Sequence, residues 1–149
     1  MFARAILAFF ALPVVFAILV PATWLWLSSH TELVQPLGLG PIVVGAAALL
    51  WCVRDFYISG KGTLAPWAPP AELVVVGLYR YSRNPMYIAV TLVVLGWAFA
   101  FGSTGLLVYA AAVFLAFHLR VILGEEPWLT RTHGSLWKQY KSRVPRWLW

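Results

Sequence analysis

Uncharged apolar runs alternate with short polar stretches along the chain. The first run, Ala5 to Leu27, carries no charged residue and is long enough to cross about 30 Å of hydrocarbon. Pro13 and Pro21 fall inside it, where a membrane helix kinks rather than stops. Trp24 and Trp26 lie near its end, where amphipathic rings anchor at the interface. The polar connection Ser28 to Pro36 leads to a second run, Leu37 to Val53, ending at Arg54 and Asp55. Within it Gly45, Ala46, Ala47 and Ala48 make a small-residue face suited to close helix contact in lipid. Ile58 to Asn84 is the longest non-spanning stretch. Gly60, Gly62, Pro66, Pro69 and Pro70 rule out a continuous helix there, and Leu73–Val76 forms a brief apolar patch closed by Gly77. The third run, Met86 to Phe101, follows Pro85, a residue suited to a first helical turn. The fourth, Leu106 to Leu119, meets Arg120. Only Gly102, Ser103, Thr104 and Gly105 separate these two runs, so they form a tight helical hairpin, each arm short enough to require tilt or local thinning. From Glu125 onward the chain is polar, basic and rich in tryptophan.

This pattern predicts an all-α fold: a polytopic membrane helical bundle of about four transmembrane helices with a C-terminal helical hairpin. Residues 1–149 form a single membrane domain, with two N-terminal spans in 1–57 and a loop, hairpin and C-terminal segment in 58–149. Arg4, Lys61, Arg80 and Arg83 fall on one side with Arg131, Lys138, Lys141, Arg143 and Arg146. Glu32 and the uncharged Gly102–Gly105 turn fall on the other. The excess of positive charge assigns the basic side, with both termini, to the cytoplasm. Met1–Arg4 followed by so long an apolar run reads as a retained span rather than a cleaved signal peptide.

Composition removes the soluble alternative. Of 149 residues, 62% are hydrophobic and 11% charged, against about 25% charged in soluble domains. A single core of this size cannot bury so much apolar surface. The net charge of +6 reads as topology and anionic headgroups, not nucleic acid, because the basic residues form no nucleic-acid motif. Cys52, the single cysteine, is a small packed hydrophobe. His30, His118 and His133 are scattered, so no metal site is expected. His118 reads as packed or interfacial, and His133 as exposed in the tail.

The polar residues able to act lie in two clusters, Gly60–Tyr87 and His118–Tyr140, that flank the hairpin. Its short turn brings their near ends together, so Asn84–Tyr87 and Arg120–Glu126 become neighbours. Glu125 and Glu126 read either as an interfacial acid pair balancing arginines or as a ligand contact at a helix end. Arg80 and Arg83 among Tyr79, Tyr81 and Tyr87 read as a headgroup anchor. Asn84-Pro85 leaves backbone groups free before the third run, which is tolerated at membrane depth only inside protein or along a cavity. Dinucleotide, P-loop and HExxH motifs are absent.

Two stretches carry a family likeness. The first is Gly77-Leu78-Tyr79-Arg80-Tyr81-Ser82-Arg83-Asn84-Pro85-Met86-Tyr87. The second is Glu125-Glu126-Pro127-Trp128-Leu129, then His133-Gly134, Tyr140 and Arg143-Val144-Pro145. In order and spacing they resemble the isoprenylcysteine carboxyl methyltransferase family, which is related to the membrane phospholipid methyltransferases. Gly60-Lys61-Gly62-Thr63 and Pro69-Pro70 resemble its small bacterial members, which points to a bacterial inner membrane. The resemblance implies a cytoplasmic pocket for S-adenosylmethionine and a lipophilic or lipidated acceptor arriving from the bilayer. It implies cofactor contacts at Ala71, Glu72, Leu73 and Val74, at Tyr79, at Asn84, Pro85, Met86 and Tyr87, and at Glu125, with Arg120 and Glu125 as catalytic residues. Asn84 stands where the family usually has histidine, and it can hydrogen-bond but not titrate. Eukaryotic members place an arginine one helical turn before the glutamate. Val121 holds that place here, with Arg120 beside it, and one residue turns a side chain by about 100° on a regular helix.

Two other readings compete. One is a reductase of lipid double bonds, which would bind NADPH instead. The other is a membrane scaffold with a basic cytoplasmic face and no cofactor.

Overall fold

The structure is a computed structural model and describes residues 13–29, 31–59 and 72–148. Ala71, His30, the Gly60–Pro70 motifs and the start of the first run lie outside the described residues. Five α-helices carry the fold among the described residues: α1 Val20–Leu27, α2 Leu39–Ser59, α3 Pro85–Ala100, α4 Thr104–Arg120 and α5 Glu126–Arg143. No strand is present among them. Pro36–Ser59 and the apolar start of Thr104–Arg143 are long and apolar enough to cross a membrane, with mean hydropathy 1.9 and 2.2, while Val15–Leu27 and Pro85–Ala100 are shorter apolar helices.

Pro21 is accommodated rather than disruptive. A π-turn, Val15–Leu19, precedes α1, and its last bond runs from Val20 N–H to the Val15 carbonyl. The next bond of that series would need an N–H on residue 21, which proline lacks. The Phe16 carbonyl instead accepts from the Tyr109 hydroxyl of α4 at 3.1 Å, so a neighbouring helix satisfies the freed group.

Helix α2 runs on through Arg54 and Asp55 to Ser59, beyond the end that its charges suggest. Charge ends an apolar stretch, not a helix. The Arg54 side chain is 69% exposed, whereas Asp55 is buried beside Gly77. Helices α2 and α3 pack most closely. Gly45 of α2 lies against the Ala89 carbonyl and Val93, and Gly96 of α3 lies against the Ile42 nitrogen and the Gly38 carbonyl. Small residues permit this backbone approach. The contact belongs to Gly38, Gly45 and Gly96, while Ala46 and Ala47 are exposed. A core of Ala17, Val90, Val93 and Val113, with Phe16, Ile42 and Trp97 around it, joins the helices.

The hairpin turn is as short as the sequence suggests. Ser103 caps α4, its side chain accepting from Leu106 N–H, and Gly102 takes a positive φ of 62°. Val34 and Gln35 N–H groups both donate to the Ala100 carbonyl. The connection before α2 and the hairpin turn therefore share one end of the bundle. The described parts of the polar clusters, residues 72–87 and 118–140, occupy the other.

Candidate active site

Three short devices assemble the site. A 3₁₀ turn, Gly77–Arg80, enters at Gly77 with φ 55°, and Pro85 then starts α3, leaving Asn84 outside the helix with φ −131°. This puts Tyr87 in the first turn of α3, where its ring stacks on Phe117 of α4 with centroids 4.3 Å apart.

The second device is a π-turn, Val121–Glu125, at the end of α4. On a regular helix, residues five apart diverge by about 140°. The extra residue of a π-turn brings Arg120 and Glu125 onto one side. Arg120 Nε donates to Glu125 Oε1 at 2.8 Å and to the Tyr87 hydroxyl at 3.1 Å, and that hydroxyl donates to the same Glu125 oxygen. The turn of about 100° per residue expected of a regular helix therefore does not hold across this segment. A π-turn is common at functional sites and leaves no mark in the apolar periodicity.

The third device is the C-terminal segment. Expected only as a basic tail, it forms α5, broken at Gly134 (φ 47°). Glu126 accepts from Arg83 Nη1 at 2.9 Å, Arg146 Nε at 2.7 Å and Arg146 Nη2 at 2.9 Å. The fork from Arg146 is charge-assisted and fixes geometry as well as charge. Asn84 Nδ2 donates to the Arg146 carbonyl at 3.0 Å, Ser82 Oγ to the same oxygen at 3.2 Å, and Tyr140 Oη to the Tyr79 carbonyl at 2.7 Å. The tail is therefore laced to the loop before α3, and the Asn84 amide nitrogen serves that lacing. Burial pushes the Tyr79 phenol well above its ordinary value. Burial also lowers the Arg83 pKa, the charge of Glu126 opposing this and that of Arg146 adding to it. Hydrogen bonding to Glu126 raises Arg146.

Between these devices lies a largely apolar cavity of about 690 Å³, within the range of small-molecule sites. Of the residues expected at the site, Leu73, Val74, Tyr79, Asn84, Met86, Tyr87, Arg120 and Glu125 line it. Glu72 is exposed and Pro85 is buried in the first turn of α3, and neither lines it. Phe56, Trp128, His133 and Trp137 also line it. His133 is not an exposed tail residue: it meets Trp128 edge-on at 5.8 Å. The spacing of Trp137 and Tyr140 against Lys138 and Lys141 is the helical signal for α5 that the charge of this segment obscures. His118 is packed, stacked on Trp147 and accepting its indole N–H at 3.2 Å.

Apolar helices around a ligand-sized cavity, with two acids and two arginines in its lining, make up a small helical membrane protein. The chain belongs to the phospholipid methyltransferase family: residues 35–135, more than half of the sequence, match the model of that family. The residue pattern, with its likeness to isoprenylcysteine carboxyl methyltransferases, falls within the same superfamily. No curated protein and no solved structure matches the chain. The matched span contains Arg83, Tyr87, Arg120, Glu125 and Glu126.

Proposed function

We propose that the protein is an S-adenosylmethionine-dependent methyltransferase acting on a lipophilic acceptor that reaches the cavity from the bilayer. The observation that carries this reading is the Tyr87–Glu125–Arg120 cluster, built from two helices into the wall of an apolar cavity in a chain of a methyltransferase family. S-adenosylmethionine, when bound, supplies an electrophilic methyl group on a sulfonium sulfur.

The residues present fit such a ligand. The faces of Tyr79 and Tyr87 attract a cation, and Leu73, Val74 and Phe56 offer an apolar bed for a ring. Glu125 Oε1 is held by Arg120 and Tyr87, while Oε2 stays outside those bonds and remains for a cationic or hydroxyl group of the ligand. Likewise Arg120 spends only Nε here, leaving its terminal nitrogens for an anionic group on the acceptor. Methyl transfer is an in-line displacement, in which the acceptor's lone pair forms the new bond as the sulfur–carbon pair returns to sulfur. Alignment of two reactants therefore contributes more than proton transfer. Leu119 and Leu123, both exposed beside Arg120, form an apolar sill on the side where an acceptor would leave the lipid.

The test is transfer of label. Purified protein in lipid vesicles, given methyl-labelled S-adenosylmethionine and a membrane lipid extract, is expected to move label into the organic phase. Label that stays in the aqueous phase with every lipid fraction would overturn the reading.

A further inference from the structure

Glycine at position 124 answers to no demand of the backbone. It lies in the π-turn Val121–Glu125, and its φ is outside the left-handed region that favours glycine. The β-branched Val121 and Ile122 take the same turn. Packing does not call for glycine either. A Cβ at Gly38, Gly45 or Gly96 would run into a neighbouring helix, whereas one at Gly124 meets nothing within 4 Å among the described residues. Glycine is the poorest helix former after proline. Its missing side chain here leaves room that no described side chain fills.

That room lies at the edge of the cavity. Gly124 is exposed and lines the cavity, between Leu123 and Glu125, which line it too. Leu115, Leu119 and Leu123 follow one another at intervals of four positions, with exposures of 56%, 47% and 73%. On a membrane helix such an exposed apolar stripe is a surface for hydrocarbon. Leu119 and Leu123 also line the cavity. Lipid-facing surface therefore passes into cavity wall without a break. At the crossing stands a residue with no side chain, next to the carboxylate that Arg120 and Tyr87 hold.

We propose that Gly124 is a gap in the cavity wall through which the hydrocarbon chain of the acceptor extends into the bilayer, so that this residue admits long-chain amphiphiles. The inference rests on the methyl-transfer reading above. The polar end of the acceptor reaches Arg120 and Glu125 while most of its chain stays in lipid, and the cavity holds only the head and the start of the chain. A large side chain at position 124 closes the gap and leaves Tyr87, Arg120 and Glu125 in place.

The test uses the full-length purified chain in lipid vesicles with methyl-labelled S-adenosylmethionine and a membrane lipid extract. Gly124→Leu is expected to lower transfer of label at least about tenfold, the scale of a steric clash, with cofactor affinity by calorimetry unchanged. A readout free of turnover comes from Gly124→Cys carrying a nitroxide. Cys52, the single cysteine, is fully buried, so the new thiol takes the label. The nitroxide is expected to be relaxed more by oxygen, which concentrates in hydrocarbon, than by a water-soluble nickel chelate. Undiminished transfer in Gly124→Leu, or a nitroxide relaxed mainly by the chelate, overturns the gap and leaves the methyl-transfer reading standing. Equal losses of transfer and cofactor affinity in Gly124→Leu also overturn it, since the residue then shapes the cofactor's space. If the wild-type chain transfers no label, both readings fall together.

Discussion

Arg120 Nε and Glu125 Oε1 stand 2.8 Å apart although they lie five positions apart in the sequence, because the helix that carries them widens into a π-turn between the two. A guanidinium beside the sill of Leu119 and Leu123 is thereby tied to the carboxylate of the cavity wall. Replacing Arg120 with lysine keeps the charge but not the planar fork. Arg120→Lys is expected to slow methyl transfer by about tenfold, the cost of one charge-assisted bond, with a smaller change in cofactor affinity. Initial rates and a binding isotherm for the same preparation check this.

Tyr87 offers a cleaner separation of packing from chemistry. Its ring stacks on Phe117, while its hydroxyl serves Glu125 and Arg120. Tyr87→Phe keeps the stack and is expected to weaken cofactor binding by about tenfold, the worth of a hydrogen bond to a charged group. The melting temperature should hardly move. A large fall in melting temperature would show the hydroxyl to be structural.

Glu126 has the opposite profile. Two arginines share it, one of them almost fully buried. Glu126→Gln leaves both cations without a counter-charge, a change that costs about 3–5 kcal/mol for a buried pair. Arg146 is 33% exposed, so solvent screening places the loss toward the lower end. Thermal unfolding in detergent is expected to shift well downward, and the tail after Arg143 to become sensitive to protease.

The packing of α2 on α3 can be tested with two glycines. A Cβ at Gly96 would lie 2.8 Å from the Ile42 nitrogen and 2.9 Å from the Gly38 carbonyl, backbone atoms that cannot yield alone, whereas one at Gly40 meets nothing within 4 Å. Gly96→Ala is expected to destabilise by about 1–3 kcal/mol, the usual cost of overpacking. Gly40→Ala should be neutral or slightly stabilising, since alanine is the better helix former. Equal melting temperatures for the two variants would contradict the packing described.

Much of this arrangement is legible in the order of residues. The four residues Gly102–Gly105 are too few for anything but a hairpin turn, and that alone brings Asn84–Tyr87 near Arg120–Glu126, while Arg83, read as a headgroup anchor, is instead paired with Glu126. The side that Arg120 faces is not legible, because a π-turn changes the angular count without changing which residues are apolar. The end of α2 is hidden for a related reason: Arg54 and Asp55 mark where lipid contact ends, while the backbone bonds continue to Ser59. Helix α5 escapes notice because its charges resemble a headgroup-binding tail and Gly134 interrupts its period. The inward positions of His133 and Trp137 depend on that helix and on its break.

In the proposed function the cavity beside Tyr87 and Glu125 holds S-adenosylmethionine. Calorimetric titration of the purified chain tests it most directly. Saturable binding at one site per chain, weakened at least about tenfold in Glu125→Ala, is the predicted result. An absence of saturable heat in the wild-type chain, or binding that Glu125→Ala leaves unchanged, would contradict it.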